Sequence, residues 1–182
     1  MARLVLLNGP PGIGKSTLSA LYADRHPGTL NLDIDSLHRL VGGWRDIGGR
    51  VHDILRPLAL AMAAAHLHGG RDVVVPQYLA RLDEIAAFED VARGQGAEFG
   101  EVVLLDAREE AIARFARRAE HDDDPWIQHR NGFVAQRGGP ALLGSMYDAL
   151  LDIVHLRPTA VVVRSATGAV EETYRLAVEA LS

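Results

Sequence analysis

Gly9-Pro10-Pro11-Gly12-Ile13-Gly14-Lys15-Ser16 matches G-x-x-x-x-G-K-[ST] at every fixed position. The glycines let the backbone curl until successive N–H groups point inward at phosphate oxygens. Lys15 adds a point charge at the β- and γ-phosphates, and the Ser16 hydroxyl can ligate Mg2+. A helix beginning here aims its positive end at the same anion. Context agrees: the apolar run 3–7 reads as a buried strand before the loop, and 15–24 as a helix after it. Gly9, Gly12, Ile13, Gly14, Lys15, Ser16 and Thr17 are therefore the expected contacts to a bound ATP. Lys15 is also the only lysine among 19 lysines and arginines. The chain keeps a compact, mobile ammonium where a planar guanidinium would not serve.

Working outward, apolar runs at 29–33, 72–76, 101–106 and 160–164 read as four further strands. Helical patterns occupy 36–41, 51–68, 82–93, 109–120, 140–155 and 170–181, with a glycine-rich loop at 42–49. Five strands separated by helices predict an α/β fold: an open parallel sheet with helices on both faces. The polar segment 121–139 is longer than a plain connection and is expected to be a mobile lid.

At 182 residues, 48% hydrophobic and 24% charged, the chain suits one compact domain. No apolar run approaches the ~18 residues of a membrane span. The opening run is too short for a signal-peptide core, so a cytoplasmic address is expected. The absence of cysteine excludes disulfides, thiolate metal sites and a cysteine nucleophile. A net charge of −5 counts against a nucleic-acid partner.

The second strand runs into Asn31-Leu32-Asp33-Ile34-Asp35-Ser36-Leu37-His38. Ligands of doubly wound sheets collect at the carboxyl ends of strands. Residues two apart on a strand point the same way, so Asp33 and Asp35 are expected to face one cleft. Phosphoryl transfer needs one carboxylate to orient and deprotonate an acceptor hydroxyl and another to hold the surroundings of Mg2+. Asp35 is expected to be the base, and Asp33 to join Ser16 at the metal. The alternative for Asp35 is that it caps the helix beginning near Leu37.

Taken together, the phosphate loop and the Asp-x-Asp-Ser-Leu that follows the second strand resemble the small-metabolite P-loop kinases. Shikimate kinase, gluconate kinase and chloramphenicol phosphotransferase are among the families it resembles, and zeta-toxin-type kinases are a more distant likeness. The resemblance covers residues 1–38 in detail and the rest by architecture. It implies strand order 2-3-1-4-5, and it implies the assignment of Asp33 to metal and Asp35 to acceptor. In such kinases arginines at the end of the fourth unit close over the phosphates. Arg114 shares a helical face with Arg118, and likewise with Arg117; Arg118 and Arg114 are the expected catalytic arginines, with Arg130 and Arg137 available beyond them. The resemblance also makes 165–168 a candidate purine rim, with an ordinary N-cap turn as the alternative.

Other residues are less decisive. Gln77 and Tyr78, at the end of the third strand, are candidate acceptor contacts. Arg39, Arg45, Arg50 and Arg56 around Trp44 admit an anionic or aromatic acceptor. Asp106 ends the fourth strand as a Walker B aspartate would, but no Glu follows, and it reads as a helix cap. His121-Asp122-Asp123-Asp124 reads as an exposed acidic hinge, since hard cations need oxygens converging from several directions.

The expected function is transfer of the γ-phosphoryl group of ATP to a hydroxyl of a small molecule, a metabolite or an antibiotic. A signalling GTPase is excluded, because its Asn-Lys-x-Asp needs a second lysine. A mechanochemical ATPase would want an Asp-Glu pair at strand four. A nucleotide or polynucleotide kinase, or an ATPase or sensor without a small-molecule acceptor, remain as alternatives. The sequence specifies neither the acceptor nor the oligomeric state.

Overall fold

β1 (Arg3–Asn8) alternates its side chains between two cores, and that alternation sets the layers of the molecule. Leu4 and Leu6 lie in one buried cluster, Val5 and Leu7 in the other. The computed structural model describes residues 1–47, 50–119 and 125–181; the side chains of Arg118 and Ala119 are outside that description. Five strands form one parallel sheet in the order β2-β3-β1-β4-β5: β2 (Leu30–Asn31), β3 (Val73–Pro76), β4 (Glu98–Leu105) and β5 (Val161–Arg164) join β1.

The helices cover both faces, as continuous apolar strands require. On one face lie α3 (Val51–His68) and α4 (Leu82–Gly94). α3 presents Leu55, Ala59, Ala63 and Leu67, spaced four apart, as a buried seam. On the other face α1 (Lys15–Arg25) packs through Leu18 and Tyr22, and α8 (Val170–Glu179) through Ala177. Between β4 and β5 the chain forms α5 (Arg108–Ala119), α6 (Pro125–Gln136) and α7 (Pro140–Leu156). Pro140 sits in the first turn of α7, where its missing N–H costs nothing. Among the described residues no helix is long and apolar enough to cross a membrane.

Two expectations are corrected. The second strand stops at Asn31, and a 3₁₀ helix (Ile34–Leu40) follows where strand was expected to continue through 33. The cause is local: Asp33 Oδ1 accepts the Asp35 N–H at 3.1 Å, and Ser36 Oγ donates to the Asp33 carbonyl at 2.6 Å. Side-chain bonds of this kind draw Asp and Ser out of a strand ladder and into a cap. The glycine-rich loop contains a short helix, α2 (Trp44–Ile47), pinned by the buried Trp44. Within the segment 121–139 the chain forms α6, whose Trp126 and Val134 are buried. The acidic stretch 121–124, expected to be a hinge, lies outside the described residues.

Candidate active site

The phosphate loop is held open from behind. Gly12 has φ +82°, and a Cβ there would stand 2.9 Å from the Phe115 Cα of α5, so only glycine lets the loop and that helix touch. Gly14 caps α1 at φ 107°, which leaves the first N–H groups of the helix facing the loop. Lys15 Nζ donates to the carbonyls of Gly9 at 2.8 Å and Pro10 at 2.9 Å. Ile13 is fully buried, and its carbonyl accepts from Arg114 at 2.8 Å and from Ser165 Oγ at 3.0 Å.

Asn8, fully buried, ties the front of the loop to the end of β3. Its Oδ1 accepts the N–H groups of Gly9 at 2.8 Å and Leu79 at 2.9 Å, and its Nδ2 donates to the Leu79 carbonyl at 2.9 Å. Asn8→Ala strands three buried backbone groups. Because each such group costs about 1–3 kcal/mol, the variant should lose about 3 kcal/mol or more of stability. Urea unfolding midpoints measure this, and an unchanged midpoint would show that the clamp contributes nothing.

Asp33 and Asp35 do meet in one cleft, though not by strand periodicity. Both line a cavity of about 260 Å³ together with Gly12, Gly14, Lys15 and Ser16. Asp33 is the cap of the 3₁₀ helix, and its Oδ2 lies 3.3 Å from Ser16 Oγ. Burial, then the like charge of Asp35, push the Asp33 carboxyl above its ordinary range. Two hard oxygens this close, on a carboxylate whose charge is poorly compensated, suit a divalent cation. Adjacent ligands of Mg2+ at 2.0–2.1 Å are about 3 Å apart. Among the described residues no group of three or more His, Asp or Glu could hold a metal by itself. Mg2+ accepts such a sparse protein site, because it keeps waters and phosphate oxygens as its other ligands.

Since Asp33 does the capping, the Asp35 carboxylate accepts no hydrogen bond among the described residues. It faces Arg130 of α6 at 3.9 Å. Its backbone is fixed by His38, whose Nδ1 hydrogen-bonds the Asp35 carbonyl. The His38 ring is buried, stacks on Trp126 at 4.5 Å and meets Trp44 edge-on at 4.5 Å. The 3₁₀ helix, α2 and α6 are thereby locked together behind Asp35.

The arginines distribute differently from expectation. Arg114 does not line the Lys15–Asp35 cavity. It bridges the carbonyls of Ile13 and Ser165 and lies 3.7 Å from the Asp106 carboxylate. With Thr17, Gly14, Ser165, Ala166 and Gly168 it lines a second crevice, of about 80 Å³, on the far side of the loop. Arg130 and Arg56 are in the cavity itself. Arg137 stacks over Phe133 at 4.4 Å, and the Arg118 side chain lies outside the described residues. Asp106 accepts the Ala107 N–H at 3.0 Å and faces Arg114 and Arg164, turned toward α5 instead of the loop.

Residues 4–137, from β1 through the end of α6, match the family described as AAA domain. The chain belongs to that family. No curated protein matches it. Among solved structures it is similar to a gluconokinase from Sinorhizobium meliloti 1021, at 20% identity and a TM-score of 0.65 over 99% of this chain and 91% of that one. It is also similar to the tunicamycin resistance protein of Deinococcus radiodurans, at 16% identity and a TM-score of 0.62 over 98% and 95%. At these identities the likeness is one of fold, and the fold is that of the P-loop kinases.

Several residues of this AAA-domain site escape a reading of the sequence. Trp126, His52, Phe133 and Met146 line the cavity from helices far apart in the chain, and no local spacing marks them. Asn8 does carry a signal: a polar side chain closing a continuous apolar strand just before a phosphate loop needs a partner.

Proposed function

We propose that the protein is an ATP-dependent phosphotransferase that moves the γ-phosphoryl group to a hydroxyl of a small molecule, with Asp35 as the base. The observation that carries this reading is that Asp33 performs the capping. The Asp35 carboxylate is thereby left free of hydrogen bonds among the described residues, in the same cavity as Lys15 and Ser16.

In this reading the triphosphate lies in the curl of residues 9–16, and the purine lies in the crevice of Thr17, Arg114, Ser165, Ala166 and Gly168. Lys15, whose ammonium has three rotatable donors, swings from the Gly9 and Pro10 carbonyls to the β- and γ-phosphates. Ser16 and Asp33 would hold Mg2+, which supplies charge neutralisation at the phosphate oxygens. Asp35 orients the acceptor hydroxyl and takes its proton as the acceptor oxygen bonds to the γ-phosphorus. The bond from that phosphorus to the β-phosphate oxygen breaks, and ADP leaves. Arg130, beside Asp35, neutralises charge on the migrating group, and α6 shuts water out of the cavity.

The direct test is incubation with MgATP and a panel of hydroxylated metabolites and antibiotics, followed by phosphorus NMR. ADP formed one-for-one with a phosphorylated acceptor supports the reading. ADP and inorganic phosphate formed equally with and without acceptor would make the protein an ATPase.

The division of labour between arginines is also testable. Arg130→Ala should lower kcat by about 10²–10³-fold, the usual worth of one transition-state donor. Arg114→Ala should chiefly raise KM for ATP. The opposite pattern in steady-state kinetics would return the catalytic role to Arg114.

A further inference from the structure

The cavity beyond the phosphate loop has a chemical character of its own. Away from Lys15 and Asp35 its wall is Phe115, Trp126, Phe133, Val134, Leu142 and Met146, contributed by α5, α6 and α7. Trp126, Phe115 and Val134 are nearly fully buried there. A polyhydroxylated, strongly hydrated acceptor would lose water against this wall with few groups to replace it.

The two arginines of the cavity are already paired with carboxylates. Arg56 reaches into it from α3, but its guanidinium sits 2.6 Å from Glu84, whose side chain is only 12% exposed. Arg130 faces Asp35. An acceptor carboxylate would have to compete with a partly buried partner in one of these pairs, at the cost of that partner's shortest ion pair. What the wall also offers is hydrogen-bonding side chains. The Gln77 side chain lines the cavity and makes no hydrogen bond among the described residues, so both its donor and its acceptor are available. His52 lines the cavity too, and its Nδ1 is buried without a hydrogen-bond partner among the described residues. Tyr78 presents its ring. Its hydroxyl donates to the Met146 carbonyl at 3.0 Å, and burial pushes its pKa up to about 12, so it stays a neutral donor.

We infer that the acceptor is an uncharged alcohol with an apolar or aromatic body. Its hydroxyl lies at Asp35, its polar middle is hydrogen-bonded by Gln77, and its body packs on Phe133, Trp126, Leu142 and Met146. This deepens, and rests on, the phosphotransfer reading above. It selects the aromatic side of the two acceptor classes that the arginines around Trp44 left open, and it makes the Arg56–Glu84 pair a filter against acids.

The test uses matched pairs that differ only in a primary alcohol against a carboxylate. Benzyl alcohol and benzoate form one pair, 1-phenyl-1,2-ethanediol and mandelate another. Binding to the protein loaded with Mg–ADP is followed by ligand-detected NMR, with tryptophan fluorescence as a second readout. In the wild type the neutral member of each pair should bind at least about tenfold tighter, a discrimination of ordinary size for one mismatched charge. Glu84→Gln releases Arg56 and should bring the ratio close to one. Gln77→Ala, which touches no ion pair, should weaken the neutral members several-fold and serves if Glu84→Gln does not fold. Acids binding as tightly as alcohols in the wild type would overturn the inference, and so would neutral members that do not bind at all. Binding of the neutral members without transfer from ATP would leave this ligand class standing and sink the kinase reading. Transfer confined to the acids would do the reverse.

Discussion

Asp35→Asn should lower kcat by about 10²–10⁴-fold, the range of general-base catalysis, and leave ATP affinity where it was. The substitution keeps the shape of the side chain and the backbone bond from His38 to the Asp35 carbonyl. Asp33 remains the cap, because the bond it accepts comes from the backbone N–H of residue 35. Nothing in the phosphate loop depends on the Asp35 carboxylate, whose charged partner is Arg130 at 3.9 Å. The variant therefore separates chemistry from binding. Single-turnover transfer measured beside calorimetric ATP affinity checks it, and undiminished transfer would remove Asp35 from the mechanism.

Lys15→Ala should abolish most of both functions. Lys15 is the only lysine in the chain, so no neighbouring ammonium can take its place. Removing one charged donor from a preorganised anion site typically costs about 10²–10³-fold in turnover. Nucleotide affinity should fall with it, because the charge also meets the phosphates in the ground state. Loss of the bonds to Gly9 and Pro10 further loosens the resting loop. Lys15→Arg should not rescue the function: a guanidinium is planar and wider than an ammonium, and the loop's curl is sized for a point charge. Calorimetry that shows unchanged ATP affinity in Lys15→Ala would contradict the cradle.

The elements of the fold were legible because each is marked locally. The phosphate loop is a contiguous motif, and the strand runs at 72–76 and 160–164 are continuous valine-rich stretches bounded by polar or turn residues. The strand order came from the family resemblance and matches the sheet observed. The second strand was overextended because Leu32-Asp33-Ile34-Asp35 alternates like a strand, while the Asp33 cap and the Ser36 hydroxyl favour a helical turn. The cap of that helix is Asp33 and not Asp35.

The candidate site was legible at the phosphate end and largely hidden at the other. Lys15, Ser16, Asp33 and Asp35 come from two short segments that the topology must bring together. The apolar wall comes from α5, α6 and α7, and its members, such as Phe115 and Leu142, look like ordinary core positions until the helices are placed. The arginines were harder still. Arg114 and Arg130 differ in placement: one is held by the carbonyls of Ile13 and Ser165 and the other faces Asp35, and helical spacing encodes neither contact.

A crystal structure with Mg2+ and a non-hydrolysable ATP analogue tests the central claim most directly. The triphosphate should lie in residues 9–16, with its γ-phosphorus facing the Asp35 carboxylate. The gap should be about 5–6 Å, room for one acceptor oxygen in hydrogen-bond reach of the base and about 3–3.5 Å from phosphorus. A γ-phosphate directed away from Asp35, or a triphosphate bound elsewhere than the loop, would contradict the account.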